Sequence, residues 1–372
     1  MMRLILPLCI LVHACYIGSK IVVSLLAIEL GASQAIVGLL AALYGVAPLL
    51  LGVHSGRFSD TVGTRPPLLI GAGLVALAML TGYLFQSIAS LIVVTTLLGM
   101  GFVYYNVAIQ NFTGSYGPVE HRARNLSWLS MAYSVSAFIG PVFGGYMIDH
   151  FGHAAAFLGF AAFAGVALIV LGVNRRFGTP AAAPAGGAAR SMSELLRNPP
   201  LRRVVIMSGL MVSAWELYLF YMPLHGISIG LNASTIGLVL GVYAAAAFVV
   251  RFLLPLILRH VSMVHLLSVS MVTAAAVFVG LPWVKVVWLL IAASFTIGLL
   301  LGLCQPVMMT LSFERSPAGR TGEVTGLRLT ANNIARIVVP VISGALGAAS
   351  GAAPVFWMNA VNLAAIGWLA RR

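Results

Sequence analysis

"ELGASQAIVGLLAALYGVA" (Glu29 to Ala47) and "SIGLNASTIGLVLGVYAAA" (Ser228 to Ala246) are the two stretches that decide the fold, because they superimpose at a displacement of 199 residues. Gly31 falls on Gly230, Gly38 on Gly237 and Tyr44 on Tyr243. Carried onward without a gap, the same displacement sets Gly99 on Gly298, Pro118 on Pro317, Pro141 on Pro340, Gly145 on Gly344 and Gly152 on Gly351. Glycine and alanine are abundant here, so a single match carries little. One offset held from Gly31 to Gly152 points to a duplicated unit, and internal duplication in an apolar chain is a mark of transporter folds.

The chain is apolar enough for that reading. Of its 372 residues 60% are hydrophobic and 8% charged, where a soluble domain carries about a quarter charged residues. Runs of the length that spans a bilayer, about 20 residues, occur near 4–28, 35–55, 67–87, 89–113, 126–148, 154–173, 203–225, 233–256, 263–283, 286–310, 325–348 and 352–370. The expected fold is an all-α integral membrane protein of twelve transmembrane helices in two pseudo-symmetric six-helix bundles. These are residues 1–176 and 202–372, joined by a cytoplasmic linker, 177–201, rich in alanine, glycine and proline. Met1 to Gly18 has the basic start and apolar run of a signal peptide. His13 beside the would-be cleavage site and apolar continuation to Ile28 favour an uncleaved first span.

A formal charge of +13 raises the question of nucleic acid, and the placement of the 21 basic residues answers it. With the N-terminus inside, sixteen of the 21 fall in cytoplasmic segments, Lys285 alone in an outer loop, and Lys20, Arg251, Arg328 and Arg336 in or at the ends of spans. Basic residues gather on the cytoplasmic side of membrane proteins. Both termini are therefore expected inside a cell (inner) membrane, and no nucleic-acid partner is expected. Cys9, Cys15 and Cys304 have no zinc or redox spacing and read as small apolar helix residues.

Between the second and third spans stands "GRFSDTVGTR", Gly56 to Arg65. Gly56, Asp60, Gly63 and Arg65 resemble the glycine-x-x-x-aspartate-x-x-glycine-x-arginine signature of the major facilitator superfamily of secondary transporters. Glycines there permit close helix approach and a tight turn, and an aspartate can face the positive end of a helix. The resemblance implies a cytoplasmic latch. Thr61 departs from it, standing where a basic residue usually follows the aspartate, and the counterpart "PLILRHVSMV" (Pro255 to Val264) has Arg259 in place of the acid and no glycine. On the fifth span "YSVSAFIGPVFGG", Tyr133 to Gly145, resembles the glycine-proline motif of the drug:proton antiporter type. Gly140, Gly144 and Gly145 remove side chains at helix contacts, and Pro141 removes a backbone donor. Ordinary small-residue packing reads the same residues equally well.

Charge at membrane depth costs roughly 2.5–3.5 kcal/mol per residue, so each such residue is a functional candidate. Lys20, Glu216 and Arg336 qualify. Glu216 maps by the repeat onto Ile17, three residues from Lys20 on the same helical face, so a structural ion pair competes with a proton-carrying role for Glu216. Arg328, Asn332 and Arg336 form an i,i+4 stripe, with Arg328 expected to snorkel to the cytoplasmic surface. Asn106 maps onto Gln305, and Gln110 follows Asn106 by one turn; amides there bind polar groups of a substrate or join helices. Glu29, Asp149 and His150 read as solvated outer residues. His13 and His225 lack companion ligands, so no metal and no cofactor is expected.

"GAGLVA", Gly71 to Ala76, meets a loose dinucleotide pattern, but it lies inside a span, and no GxxxxGK[ST] occurs. Any uphill transport must draw on a gradient. The expectation is a monomeric secondary transporter working by alternating access, with protons as coupling ion, exporting a small amphiphilic or drug-like solute. The alternatives are proton-coupled uptake of a small organic anion and, more remotely, a non-transporting membrane sensor or assembly factor. No paired nucleophile and base is visible, so no enzyme is expected.

Overall fold

A computed structural model describes residues 2–116, 118, 121–174, 197–316 and 321–371. The linker expected over 177–201 lies, up to position 196, outside the described residues. The described chain is helical, with no strand among its residues. In chain order the helices are α1 (Met2–Glu29), α2 (Gln34–Val62), α3 (Arg65–Leu84), α4 (Ile88–Ser115), α5 (Arg122–Val173) and α6 (Pro199–Ser228). They continue with α7 (Ala233–Ile257), α8 (Met263–Gly280), α9 (Val287–Gly302), α10 (Cys304–Glu314), α11 (Thr321–Ser350) and α12 (Ala352–Arg371).

Two of these depart from one helix per crossing. α5 has 52 residues, about 78 Å at 1.5 Å per residue, more than twice the hydrocarbon core. It breaks at Gly152, whose φ of 82° and ψ of 172° are not helical, so it holds two crossings. Conversely α9 and α10 make one span, Val287–Ser312. Pro306 explains the interruption between them: it has no N–H to donate, and its ring crowds the carbonyl four residues back, at Gly302, where α9 ends. Among the described residues eleven segments are long and apolar enough to cross a membrane, and counting α5 twice gives the twelve expected.

The chain divides into two compact units. Unit 1 comprises Met1–Ala32, Leu43–Gly186 and Leu231–Gly241, and unit 2 comprises Ser33–Ala42, Gly187–Gly230 and Val242–Arg372. α2 and α7 are thus each shared: the first turns of α2 pack with unit 2 and those of α7 with unit 1.

In unit 1, α1 lies along α5, and α3 packs on α4 and α5. A Cβ on Gly140 would sit 2.7 Å from the carbonyl oxygen of Ala14 and 2.8 Å from the amide nitrogen of Gly18, so the two backbones touch with no side chain between them. In unit 2, α12 packs on α8 and α6, and α6 packs on α11. Along that last pair Leu201 and Val205 meet Val324, Leu327 and Ala331, and the level above them is polar.

The repeat seen in the sequence is a repeat of geometry. Gly31 and Gly230 have φ of 74° and 81°, and Gly152 and Gly351 have 82° and 84°, left-handed values that end helices at matching positions. Gly99 abuts the carbonyl of Tyr44, and Gly298 that of Tyr243. Tyr16 meets Tyr44 edge-on at 5.5 Å and 77°; their counterparts Trp215 and Tyr243 meet at 5.1 Å and 70°. The shared helices repeat too. Gly237 packs on Pro141 within unit 1, and Gly38 on Pro340 within unit 2.

Candidate functional site

The polar face of unit 2 runs along α6 and α11, which pack side by side in the same direction. Above the apolar level, Ser208 Oγ donates to Asn332 Oδ1 at 2.9 Å. Two turns further along α6, Glu216 pairs with Arg336, Nε to Oε1 3.3 Å, with side-chain exposures of 9% for the acid and 33% for the arginine. Glu216 is the sole buried carboxylate among the described residues. Arg328, one turn before Asn332, is buried with 7% of its surface exposed. It does not reach the surface as the expected snorkelling required.

On neighbouring helices of unit 2, Arg251 donates from Nη2 to Gln305 Oε1 at 3.3 Å. Gln305 itself is exposed. Tyr218 and Tyr243 lie 4.7 Å apart by ring centroid, and the Tyr218 hydroxyl meets Ser294 Oγ at 2.5 Å. Glu216 therefore sits on a helix whose adjoining residues, Trp215 and Tyr218, are fixed by aromatic contacts.

Unit 1 holds the other buried cation. Lys20 has 2% of its surface exposed, and its ammonium lies 5.3 Å from the Tyr16 ring centroid and 5.7 Å from that of Tyr44, within range of a cation–π attraction. Tyr44 OH and Ser19 Oγ are 2.9 Å apart, and Phe102 stacks on Tyr16 at 3.8 Å. Asn106 accepts a hydrogen bond from Tyr133 OH at 2.6 Å, and Gln110, one turn along and exposed, also reaches Tyr133. His13 Nδ1 and Ser136 Oγ are 2.6 Å apart. Ser136 Oγ also lies within hydrogen-bond distance of the carbonyls of Ala132 and Tyr133.

The structure thus brings Asn332, Arg336 and Glu216 onto one face in unit 2, and Lys20, Asn106 and Gln110 into unit 1. A profile of the Major Facilitator Superfamily matches residues 8–340, nine-tenths of a chain that folds into twelve apolar crossings. The chain belongs to that superfamily. Among its relatives, the quinolone resistance protein NorA of Staphylococcus aureus (strain MRSA252) is 22% identical over 363 residues, 94% of this chain and 92% of NorA. The vesicular acetylcholine transporter of Rattus norvegicus is 27% identical over 190 residues, 50% of this chain and 34% of that one. Two solved structures share the fold. A POT family transporter in complex with a thioalcohol conjugated peptide has a TM-score of 0.82 at 14% identity, over 99% of this chain and 94% of that one. A mutant form of the nucleoside transporter NupG has a TM-score of 0.82 at 13% identity, over 100% of this chain and 99% of that one. At such identities these solved structures speak for architecture.

The superfamily's signature after the second span takes a different local form from the loop expected. Gly56 to Val62 continue α2, and only Gly63 and Thr64 turn. Nothing in Gly56–Val62 breaks a helix, and the Thr61 hydroxyl bonds back to the carbonyls of Arg57 and Phe58. Gly63, at φ 83°, makes the turn. A Cβ on Gly56 would meet nothing within 4 Å, so close approach is not its role in this conformation. Arg65 Nη2 donates to Gly172 O at 2.7 Å, tying the start of α3 to the end of α5. The side chain of Asp60 lies outside the described residues.

On α5, all four motif positions are buried. Gly144 lies 3.2 Å by its would-be Cβ from Ile21, and Gly145 lies against Ala233 and Ser234 of α7. One turn beyond, Asp149 accepts from the backbone N–H of Ala233 at 2.9 Å and of Ser234 at 2.7 Å. Asp149 is exposed, as expected, and it also caps the first turn of α7, where free N–H groups and the helix dipole favour a carboxylate. Glu29, largely exposed, meets His153 at 3.0 Å. The repeat held the signal for the α5–α7 contact, in Gly145 and Gly344, but position 149 has Ala348 as its counterpart, so the cap itself had none.

Proposed function

We propose that this transporter is a proton-coupled exporter of a small amphiphilic or drug-like solute, working by alternating access of two halves, residues 1–176 and 202–372. It is read as a monomer in the inner membrane with both termini in the cytoplasm. The observation that carries the proposal is the Glu216–Arg336 pair. When Glu216 is ionised, the two charges of the pair offset each other. A proton on Glu216 removes one partner and leaves Arg336 with an uncompensated charge, so proton and solute compete to define the state of one buried site. No nucleotide-binding loop offers another energy source. Export of a drug-like solute is favoured by similarity to NorA, whose name records quinolone resistance.

Flux measured in proteoliposomes tests this, across a panel of cationic, neutral and anionic solutes under an imposed pH gradient. Wild type is expected to drive solute against its own gradient as protons run down theirs. Glu216→Gln is expected to lose that accumulation while keeping gradient-free exchange of labelled for unlabelled solute. Coupled flux unchanged in Glu216→Gln refutes the role of the acid. A specific observation favours anion uptake as the second reading: Lys20 is buried in unit 1, while on the α6–α11 face of unit 2 Arg336 and Arg328 outnumber Glu216, the one buried carboxylate among the described residues. Flux confined to anions would select it.

A further inference from the structure

The α6–α11 face carries a cation that the Glu216 chemistry does not use. Arg328 is 93% buried by the complement of its 7% exposure, and its Nε has no hydrogen-bond partner among the described residues. Nor does any carboxylate among the described residues form an ion pair with it. A guanidinium keeps its charge, and a buried charge is retained only when something pairs with it. Arg336, two turns on, has Glu216. Arg328 has no such acid among the described residues, although it lies deeper within the protein than Arg336.

Its surroundings define what would complete it. On one side is the apolar level of Leu201, Val205, Val324 and Leu327. On the other is Asn332, whose Oδ1 is taken by Ser208, leaving the amide N–H groups as donors on the same face, one turn away. The described side chains therefore offer a forked set of guanidinium donors, an amide donor, a positive charge and an apolar floor. A cation or a hydrogen-bond donor finds no match in that set. An oxyanion with two oxygens in a plane matches a guanidinium fork.

We propose that Arg328, with Asn332 beside it and Ser208 orienting the Asn332 amide, is an oxyanion-binding site that takes the carboxylate or phosphate of an amphiphile. The oxyanion belongs to a transported solute or to a lipid headgroup. The site does not depend on Glu216 carrying a proton, and it is testable by binding alone, without a gradient.

The full chain is placed in phosphatidylcholine nanodiscs and titrated with 1-naphthaleneacetate and with the uncharged 1-naphthaleneacetamide, which share ring and size. Wild type is expected to bind the carboxylate at least about tenfold more tightly, the factor that a charge-assisted bond of about 1.5 kcal/mol supplies. Arg328→Gln is expected to abolish that preference with the affinity for the amide unchanged, which also shows that the variant is folded. Arg328→Lys, which keeps the charge and loses the fork, is expected to retain a few-fold preference. In nanodiscs containing phosphatidylglycerol, a headgroup source is revealed by a rise in melting temperature that Arg328→Gln removes, and by weaker binding of naphthaleneacetate. The proposal is overturned if neither naphthaleneacetate nor phosphatidylglycerol has an Arg328-dependent effect, or if the preference survives Arg328→Gln. It is also overturned if Arg328→Gln and Arg328→Lys both lower the melting temperature of the ligand-free protein, as loss of a structural partner would.

Discussion

Replacing Gly140 by alanine separates two consequences of adding one methyl group to α5. In a helix interior alanine is better than glycine by about 1 kcal/mol. At Gly140 the methyl would lie 2.7 Å from Ala14 O and 2.8 Å from Gly18 N, where ordinary contact begins at 3.4 Å. Both neighbours are α1 backbone, so no side chain can rotate away, and α1 and α5 must part by about 0.7 Å. A gap of that size forfeits a quarter to a half of each dispersion contact along the seam, and overpacking of this kind costs about 1–3 kcal/mol. Gly165, also within α5, has nothing within 4 Å of its would-be Cβ. Gly165→Ala is expected to be neutral or to stabilise by up to about 1 kcal/mol, and Gly140→Ala to destabilise by up to about 2 kcal/mol. The propensity gain cancels in their difference, which should therefore equal the packing cost, about 1–3 kcal/mol. Unfolding in mixed micelles, titrated with denaturing detergent, measures both. Equal shifts for the two variants would refute the claim that α1 and α5 meet backbone to backbone.

Three further outcomes follow from the described contacts. Arg336→Gln leaves Glu216 buried without its ion-pair partner and is expected to cost more stability than Glu216→Gln/Arg336→Gln together, with a coupling of about 1–2 kcal/mol in a double-mutant cycle of melting data; zero coupling would mean the pair is not energetically linked. Asp149→Asn keeps the shape but replaces one acceptor by a donor facing a backbone N–H. It should cost about 1 kcal/mol and speed labelling of Ala233→Cys by an impermeant maleimide, and unchanged labelling would remove Asp149 as a cap. Tyr133→Phe takes the partner from Asn106 Oδ1 and should lower stability by about 1–2 kcal/mol, whereas Tyr83→Phe, on the exposed surface, should not.

What the sequence made legible was whatever depends on one dimension. Span length and hydropathy locate the crossings, and a constant offset locates the duplicated turns, so Gly31 and Gly230, and Gly152 and Gly351, stand out in sequence as pairs and in the fold as matched helix ends. The split of one span into α9 and α10 was written in Pro306, though apolar composition masked it. Asp149 was not readable in this way. Its partners lie 84 and 85 residues away and are backbone groups, which leave no trace in residue type. Arg328 was misread for a related reason. Its position near a helix end allows a long side chain to reach water, and its burial depends on tertiary packing, which residue type and spacing do not carry.

The duplication has been kept where atoms must be absent and lost where charge is placed. Gly38, Gly99, Pro141 and Gly145 all retain their counterparts, because each sets how closely two backbones approach, and a methyl group at such a contact is felt at once. Lys20 stands opposite Leu219, Glu216 opposite Ile17, Asp149 opposite Ala348, Arg328 opposite Leu129 and Arg336 opposite Ala137. Each of these charges thus occurs on one side of the repeat only. Unit 1 sets its buried lysine against two tyrosine faces, while unit 2 sets Glu216, Arg328 and Arg336 along one face of a single helix pair. A symmetric scaffold needs equal packing to fold two similar units. Directional chemistry needs unequal charge, since two identical sites would respond identically to the same proton, and the asymmetry here is concentrated in a few side chains along α1, α5, α6 and α11.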